Sequence, residues 1–271
     1  MKLGIDIGST NTKIVIADNK TIIKKLFFYR SGIDSINLIE NKSINNKISG
    51  KDVVITGVGR SFINESSYLK NLNVNDKLKT VSEIDATAKG ALTLANLEHA
   101  LVVSCGTGTA FIHAVKDNAQ HIGGSGVGGG TILGLSNLLN NEDDIEKIKK
   151  SAKIGNTNNI DSIIGDITQI NTNLLMPNVT ASNFGKVISV MRYKSSDISS
   201  AILNLVYQTI AMLSVYAARS VGETNVILVG AMSESEYAKK VLMDVKLLHE
   251  DINFYIPDDG IYACALGATL L

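Results

Sequence analysis

The chain has 271 residues, enough for a substantial core and for two lobes rather than one. Hydrophobic residues make up 45% and charged residues 19%, an ordinary globular balance. Lysine plus arginine equals aspartate plus glutamate at 26 each, and aromatics are 5% with no Trp, which argues against nucleic acid or an anionic membrane as a partner.

Leu3 to Ile7 reads as a buried strand and Thr12 to Ala17 as its hairpin partner, joined by Gly8-Ser9-Thr10-Asn11. A glycine turn with hydroxyls can wrap a phosphate tail, and a carboxylate such as Asp6 at the strand end can hold Mg²⁺ directly or through water. A plain hairpin, with Asp6 bonded to its own turn, explains the same residues. Thr21 to Tyr29 continues the antiparallel part. Residues 34–50 read as a short helix and a polar loop. Lys51 to Thr56 is a parallel-type strand leading into Gly57-Val58-Gly59-Arg60, where Arg60 either meets an anion or is simply solvated.

A helix is predicted from Val81 to about Leu97. Glu83 and Asp85 near its start complement the helix dipole, or one of them serves as general base toward a substrate hydroxyl. Ala100 to Ser104 is an apolar strand, followed by the turn Cys105-Gly106-Thr107-Gly108-Thr109 and a strand from Ala110 to Val115. This repeats the logic of residues 3–17. Two such hairpins, one near the start of each half, suggest a duplicated fold gripping a nucleotide between the halves.

The stretch His121 to Gly130 is rich in glycine and runs into an apolar helix from Thr131 to Leu139. A glycine-rich turn feeding a helix can present backbone N–H groups to an anion, and it can equally serve tight packing. Asn140 to Ile154 is a charged amphipathic segment, and residues 155–184 read as loop-rich. Asp197 to Val221 is the longest helix signal, with Ile202, Val206, Ile210 and Leu213 near one face, a core helix with a dimer contact open to it. Asn225 to Val229 is a strand ending at Gly230, a turn suited to an adenine or ribose but common in other α/β folds. A helix from Glu234 to Met243, a strand at residues 254–256 and a small-residue helix at 263–268 complete the chain.

Cys105 and Cys264 lie far apart, with no CxxC or His–Cys spacing, so reduced thiols are expected rather than a disulfide scaffold or a structural zinc. The N-terminus enters a strand pattern without a hydrophobic signal core, and the apolar stretch from Ser199 to Val221 is broken by Asn204, Gln208 and Arg219. A cytoplasmic protein without a membrane partner is the expectation.

Together these motifs resemble the acetate and sugar kinase, Hsc70 and actin superfamily. DIGSTNTK and SCGTGTA look like its two phosphate motifs, and VILVGAM looks like its adenosine motif. Within it, SEIDATAKGA (82–91), SCGTGTA (104–110), HIGGSGVGGGTILGL (121–135), NVTASNFGK (178–186) and DGIYACALGA (259–268) resemble the type II pantothenate kinases, in order and across nearly the whole chain. The resemblance implies an α/β fold of two ribonuclease-H-like lobes, 1–97 and 98–271, with ATP in the cleft between them. It implies ATP-dependent phosphorylation of the primary hydroxyl of pantothenate by a homodimer. Glu83 would be the general base and Asp6 the Mg²⁺ residue. Gly8, Ser9, Thr10, Asn11, Lys13, Gly106, Thr107, Gly108, Thr109, Gly128, Gly129, Gly130 and Gly230 would serve the nucleotide. The family carries an arginine just before the glycine stretch, where this chain has His121, which lacks a permanent bidentate charge. Arg60 is a candidate replacement cation, so His121 and Arg60 are the expected substrate contacts. A same-fold kinase of another small hydroxyl compound is the alternative. Less favoured is an activator ATPase bridging an iron–sulfur cluster, which GIDIGSTNTK and TGVGR also resemble. A nucleotide sensor without catalysis is the non-enzymatic alternative.

Overall fold

A computed structural model describes residues 1–28, 52–59, 78–167, 178–187 and 193–271. Strands β1 (Lys2–Ile7), β2 (Thr12–Asp18) and β3 (Thr21–Phe28) form an antiparallel meander, because two largely apolar runs and an alternating one are joined by short polar turns. β4 (Asp52–Thr56) then pairs parallel with β1, and β5 (Leu78–Thr80) parallel with β4, giving the order β3-β2-β1-β4-β5. Helix α1 (Glu83–Ala95) follows, with Ser82 as N-cap accepting the Asp85 amide at 3.4 Å and Asn96 closing it in the left-handed region. The helix thus begins two residues after the expected start, where a serine can cap it.

The second sheet repeats this plan. β6 (His99–Cys105), β7 (Thr109–Val115) and β8 (Asn118–Ser125) form the meander, and after helices α2 (Gly129–Asn140) and α3 (Ile145–Lys153) the chain reaches a small ladder of β9 (Ser162–Ile163) and β10 (Thr180–Ser182) with the short helix α4 (Ile164–Ile167) between them. Helix α5 (Ser195–Ser220) leads to β11 (Asn225–Val229), α6 (Glu236–Leu248), β12 (Asn253–Tyr255) and α7 (Ala263–Leu270). β11 pairs parallel with β6 and β12 with β11, so the order β8-β7-β6-β11-β12 matches the first sheet strand for strand.

β8 differs from expectation. His121 to Ser125 are strand residues paired with β7, and only Gly126 to Gly128 form the turn into α2. Two adjacent glycines lower strand propensity, but β7 supplies the missing hydrogen-bond partners. The loop-rich segment is likewise pinned: Asp161, 1% exposed, accepts the Phe184 amide at 2.8 Å and the Asn204 amide group at 2.9 Å, and Asp197 accepts the Asn156 amide at 2.8 Å. The helix expected over 34–50, and Arg60, lie outside the described residues.

The central strands of the second sheet, β6 and β11, are buried on both faces, as their continuous apolar runs require. Leu101 and Val103 face α5, while Ala100 and Val102 face α1. Helix α5 has the length and apolarity to cross a membrane, yet 61% of its apolar window is buried inside the protein, so it serves as the core helix. Helices α1 and α7 pass each other backbone to backbone. A Cβ at Gly90 would overlap the Ala263 carbonyl, and one at Gly267 the Ala86 carbonyl. This close crossing lets α1, which follows the first sheet, cover the second, while α7 packs Ala265 and Leu266 on Val15 and Ala17 of the first.

Candidate active site

Both β1–β2 and β6–β7 turns open into one cavity of about 1360 Å³. Asp6, Gly8, Ser9, Thr10, Asn11, Lys13, Glu83, Gly106, Thr107, Gly108, Thr109, Gly129, Gly130 and Gly230 line it, so most of the residues singled out in the sequence converge there. Three do not. Gly128 is buried beneath the lining, His121 is exposed on β8 outside it, and Asp85, the other candidate base, is exposed outside it. Arg60 lies outside the described residues, so its place is not described.

The two turns touch. Thr107 Oγ1 lies 3.0 Å from both Ser9 Oγ and Thr10 Oγ1, so three hydroxyls bridge the halves at the cavity floor. Each turn is tied internally, by the Gly8 amide to the Asn11 carbonyl at 3.0 Å and by the Gly106 amide to the Gly108 carbonyl at 2.9 Å.

The glycines at the start of α2 do a different job from presenting amides to an anion. The Gly129 and Gly130 amides donate to the carbonyls of Gly106 and Thr107, each at 2.9 Å, and the Gly128 amide donates to Thr131 Oγ1 at 3.1 Å. A Cβ at Gly128 would stand 2.6 Å from the Thr107 carbonyl oxygen. The triplet therefore lets the helix end sit directly on the second hairpin turn and holds that turn in shape. These amides are already engaged, and the tight-packing reading is the one the geometry supports.

Asp6 is the next-to-last residue of β1, with 5% of its surface exposed. Lys13 Nζ is 3.4 Å from its Oδ2, while Oδ1 is buried without a hydrogen-bond partner among the described residues. Burial pushes the carboxyl above its ordinary range, against the opposing pull of Lys13 and the Cys264 thiol. Glu83, the first residue of α1, is half-buried in the cavity wall, and its carbonyl lies 3.9 Å from Cys264 Sγ. Thr87 and Cys264 join the lining near these acids, Ser104 joins it from β6, and Tyr207 also lines it, donating to the Met232 carbonyl at 3.1 Å. Burial raises the Tyr207 phenol, keeping it a neutral donor. Sequence reasoning passed over these four because each reads as an ordinary core residue until helix packing places it.

Gly230 has φ +96°, and a Cβ there would overlap the Cys105 carbonyl. Only glycine fits where the end of β11 meets the second hairpin. Beyond it Met232, Ile132 and Leu133 give the cavity an apolar end, rimmed by Asp143, Asp144, Glu146, Lys149 and Glu234. Lys25 also reaches the lining and pairs with Asp259.

A family model described as Fumble matches residues 97–264. The type II pantothenate kinase of Bacillus cereus is 33% identical over 276 residues, spanning 99% of this chain and 97% of that protein. The chain belongs to the type II pantothenate kinase family. The family's protein from Staphylococcus epidermidis is 26% identical over 285 residues, spanning all of both chains. Solved structures share the family fold of two actin-like lobes. Component A of the Acidaminococcus fermentans (R)-2-hydroxyglutaryl-CoA dehydratase has TM-score 0.62 and 20% identity, covering 99% of this chain and 96% of that one. A ROK family glucokinase from Streptomyces griseus, in complex with glucose and AMPPNP, has TM-score 0.59 and 13% identity, covering 98% and 97%.

Proposed function

We propose that this kinase transfers the γ-phosphoryl group of ATP to the primary hydroxyl of pantothenate, the first step toward coenzyme A. The observation that carries this reading is the convergence of Asp6, both hairpin turns and Glu83 on one cavity, in a chain related to type II pantothenate kinases over 99% of its length. In this reading the adenosine lies at the apolar end past Gly230, and the phosphates lie over the Ser9–Thr10 and Gly106–Thr109 turns. The substrate oxygen bonds to the γ-phosphorus as the bond to the β–γ bridging oxygen breaks. Glu83 takes the hydroxyl proton and ADP leaves. Such a reaction depends chiefly on alignment and charge neutralisation, which two fixed turns and Lys13 supply.

Mg²⁺ fits the residues present. Asp6 accepts one long contact out of the several its carboxylate can take, and one of its oxygens is unmatched. Among the described residues no group of three acids, histidines or cysteines is arranged to hold a metal ion by itself, so the ion would be shared between one carboxylate and the nucleotide phosphates. Asp6 would hold it, directly or through water, and it would offset the phosphate charge.

We read residues 1–97 and 98–271 as the two lobes, and the protein as a cytoplasmic homodimer. In support of the latter, α5 leaves Leu213 and Tyr216 at its surface. A second substrate reading, another small hydroxyl compound, is favoured by the cations. Lys13 faces Asp6, Lys25 pairs with Asp259, Lys149 pairs with Glu146, and His121 stands outside the lining. The activator-ATPase alternative gains nothing from the thiols: Cys105 is fully buried and Cys264 is 9% exposed.

ADP release from ATP and Mg²⁺, with and without pantothenate, tests the proposal. Pantothenate-dependent turnover that disappears in Glu83→Ala supports it. ATP binding without stimulation by pantothenate rejects the substrate, and a screen of other small alcohols then identifies the acceptor.

A further inference from the structure

Asp6 and Thr56 are register partners on the parallel strands β1 and β4. Side chains at paired positions of neighbouring strands share a face, with the strands about 4.8 Å apart. That face is the one α7 covers, since Val54, two residues before Thr56, packs with Cys264 and Ala268. Thr56 is fully buried, and its Oγ1, like Asp6 Oδ1, has no hydrogen-bond partner among the described residues. Two adjacent unmatched oxygens in a protein interior are rare, because each forfeits a bond it would make in water. Gly57 passes close beside them. Its φ is +95°, and a Cβ there would stand 2.7 Å from Asp6 Oδ1. Lys13 holds the other carboxylate oxygen from the β2 side, so the β4 side lacks its counterpart.

We propose that a water molecule trapped between Thr56 Oγ1 and Asp6 Oδ1 supplies it, making Thr56 a positioning residue that fixes the Asp6 carboxylate toward the phosphates. The site is polar and offers a water two partners, as buried water needs. The inference rests on the phosphoryl-transfer reading of this cavity. Thr56 does not line the cavity and touches no substrate, so it acts through Asp6 alone.

Thr56→Val keeps the shape and removes the hydroxyl, while Thr56→Ser restores it. The expected result is a kcat about tenfold or more below wild type in Thr56→Val, the scale on which groups orienting a metal-holding side chain act. KM for the alcohol should stay within about twofold of wild type, while KM for ATP should rise in step with the weaker metal–nucleotide binding. Thr56→Ser should recover most of kcat, and both variants should keep a near-native melting temperature. A high-resolution crystal structure of the ligand-free protein should show one ordered water bonded to both oxygens, and Mn²⁺–ATP should bind Thr56→Val more weakly by electron paramagnetic resonance. Wild-type kcat in Thr56→Val, an equal loss in Thr56→Ser, or a direct Thr56–Asp6 bond with no water would overturn the proposal. The water and the Mn²⁺–ATP affinity are read without turnover, so a protein that ignores pantothenate sinks the substrate reading and leaves this one to be judged separately.

Discussion

The two sheets share one topology and even one steric device, but they differ at a single decisive position. In each half a glycine follows the inner parallel strand with φ near +95°: Gly57 after β4 presses on the Ile7 carbonyl, and Gly230 after β11 presses on the Cys105 carbonyl. Ile7 and Cys105 close β1 and β6, so the residues before them, Asp6 and Ser104, occupy equivalent places. The first half puts a buried carboxylate there and the second a half-buried hydroxyl. Duplication thus supplies a symmetric pair of phosphate-sized turns, and one substitution makes the pair chemically unequal. The helices sharpen the inequality. α1 brings Glu83 to the cavity, whereas α7, its counterpart, brings Ala263 and Cys264.

The largest effects should therefore fall on one side. Asp6→Asn is expected to lower kcat by about 10² to 10³, the scale of losing a preorganised charge, while Ser104→Ala stays within a factor of about three. Glu83→Ala should cost about 10² to 10⁴ in kcat with KM for ATP little changed. Steady-state ADP release on the three variants checks this. Equal losses at Asp6 and Ser104 would mean that the halves share the chemistry.

Much of this asymmetry is legible in the sequence, for a definite reason. The strands β1, β2, β6, β7 and β11 are mainly apolar runs, and the polar turns and strand ends between them hold the site, so motif and geometry coincide. β8 is not legible, because Gln120, His121, Gly123 and Gly124 carry no strand pattern and only pairing with β7 makes them one. From the sequence, with the other two glycine turns beside it, the Gly128–Gly130 triplet reads as a nucleotide contact, and its packing role depends on carbonyls more than 20 residues upstream that accept the Gly129 and Gly130 amides. Thr56 and Cys264 become notable only through the β1–β4 register and the packing of α7 over it. Such long-range pairings leave no local trace.

The glycine device gives the next effect. Gly57→Ala and Gly230→Ala each force a side chain into the left-handed region against a backbone carbonyl, at an expected cost of about 2 kcal/mol or more. Urea unfolding should show similar losses for both. A large loss at one alone would show that the halves carry different strain.

The strand-end pair Ile7 and Cys105 differ in a way that pH can reveal. Burial pushes the Cys105 thiol up to about 12, partly offset by Thr109, whereas Ile7 has nothing to titrate. The unfolded thiol ionises near its ordinary value, so the folded state holds a proton that the unfolded state loses. The stabilisation is complete below about pH 8.5 and is lost as pH rises toward 12, at up to about 1.4 kcal/mol per pH unit. Cys105→Ala should flatten that part of the alkaline stability curve between pH 9 and 10.5, measured by denaturant unfolding. An unchanged slope would place the alkaline sensitivity elsewhere.

The smallest effect belongs to the hydroxyl link between the two turns. Thr107 Oγ1 meets Ser9 and Thr10 at 3.0 Å, but these hydroxyls are exposed and water competes for them. Thr107→Ala should therefore lower the unfolding free energy by no more than about 1 kcal/mol. Thr107→Ser keeps the oxygen and should match wild type in the same titration. The hydroxyls also sit where the phosphates are proposed to lie, so ATP must rearrange this bridge to bind. If that bridge opposes nucleotide entry, removing it weakens the empty protein while leaving ATP affinity at or above the wild-type level. A Thr107→Ala protein that loses stability and ATP affinity together would instead make the hydroxyl a phosphate contact, and the bridge only its resting position.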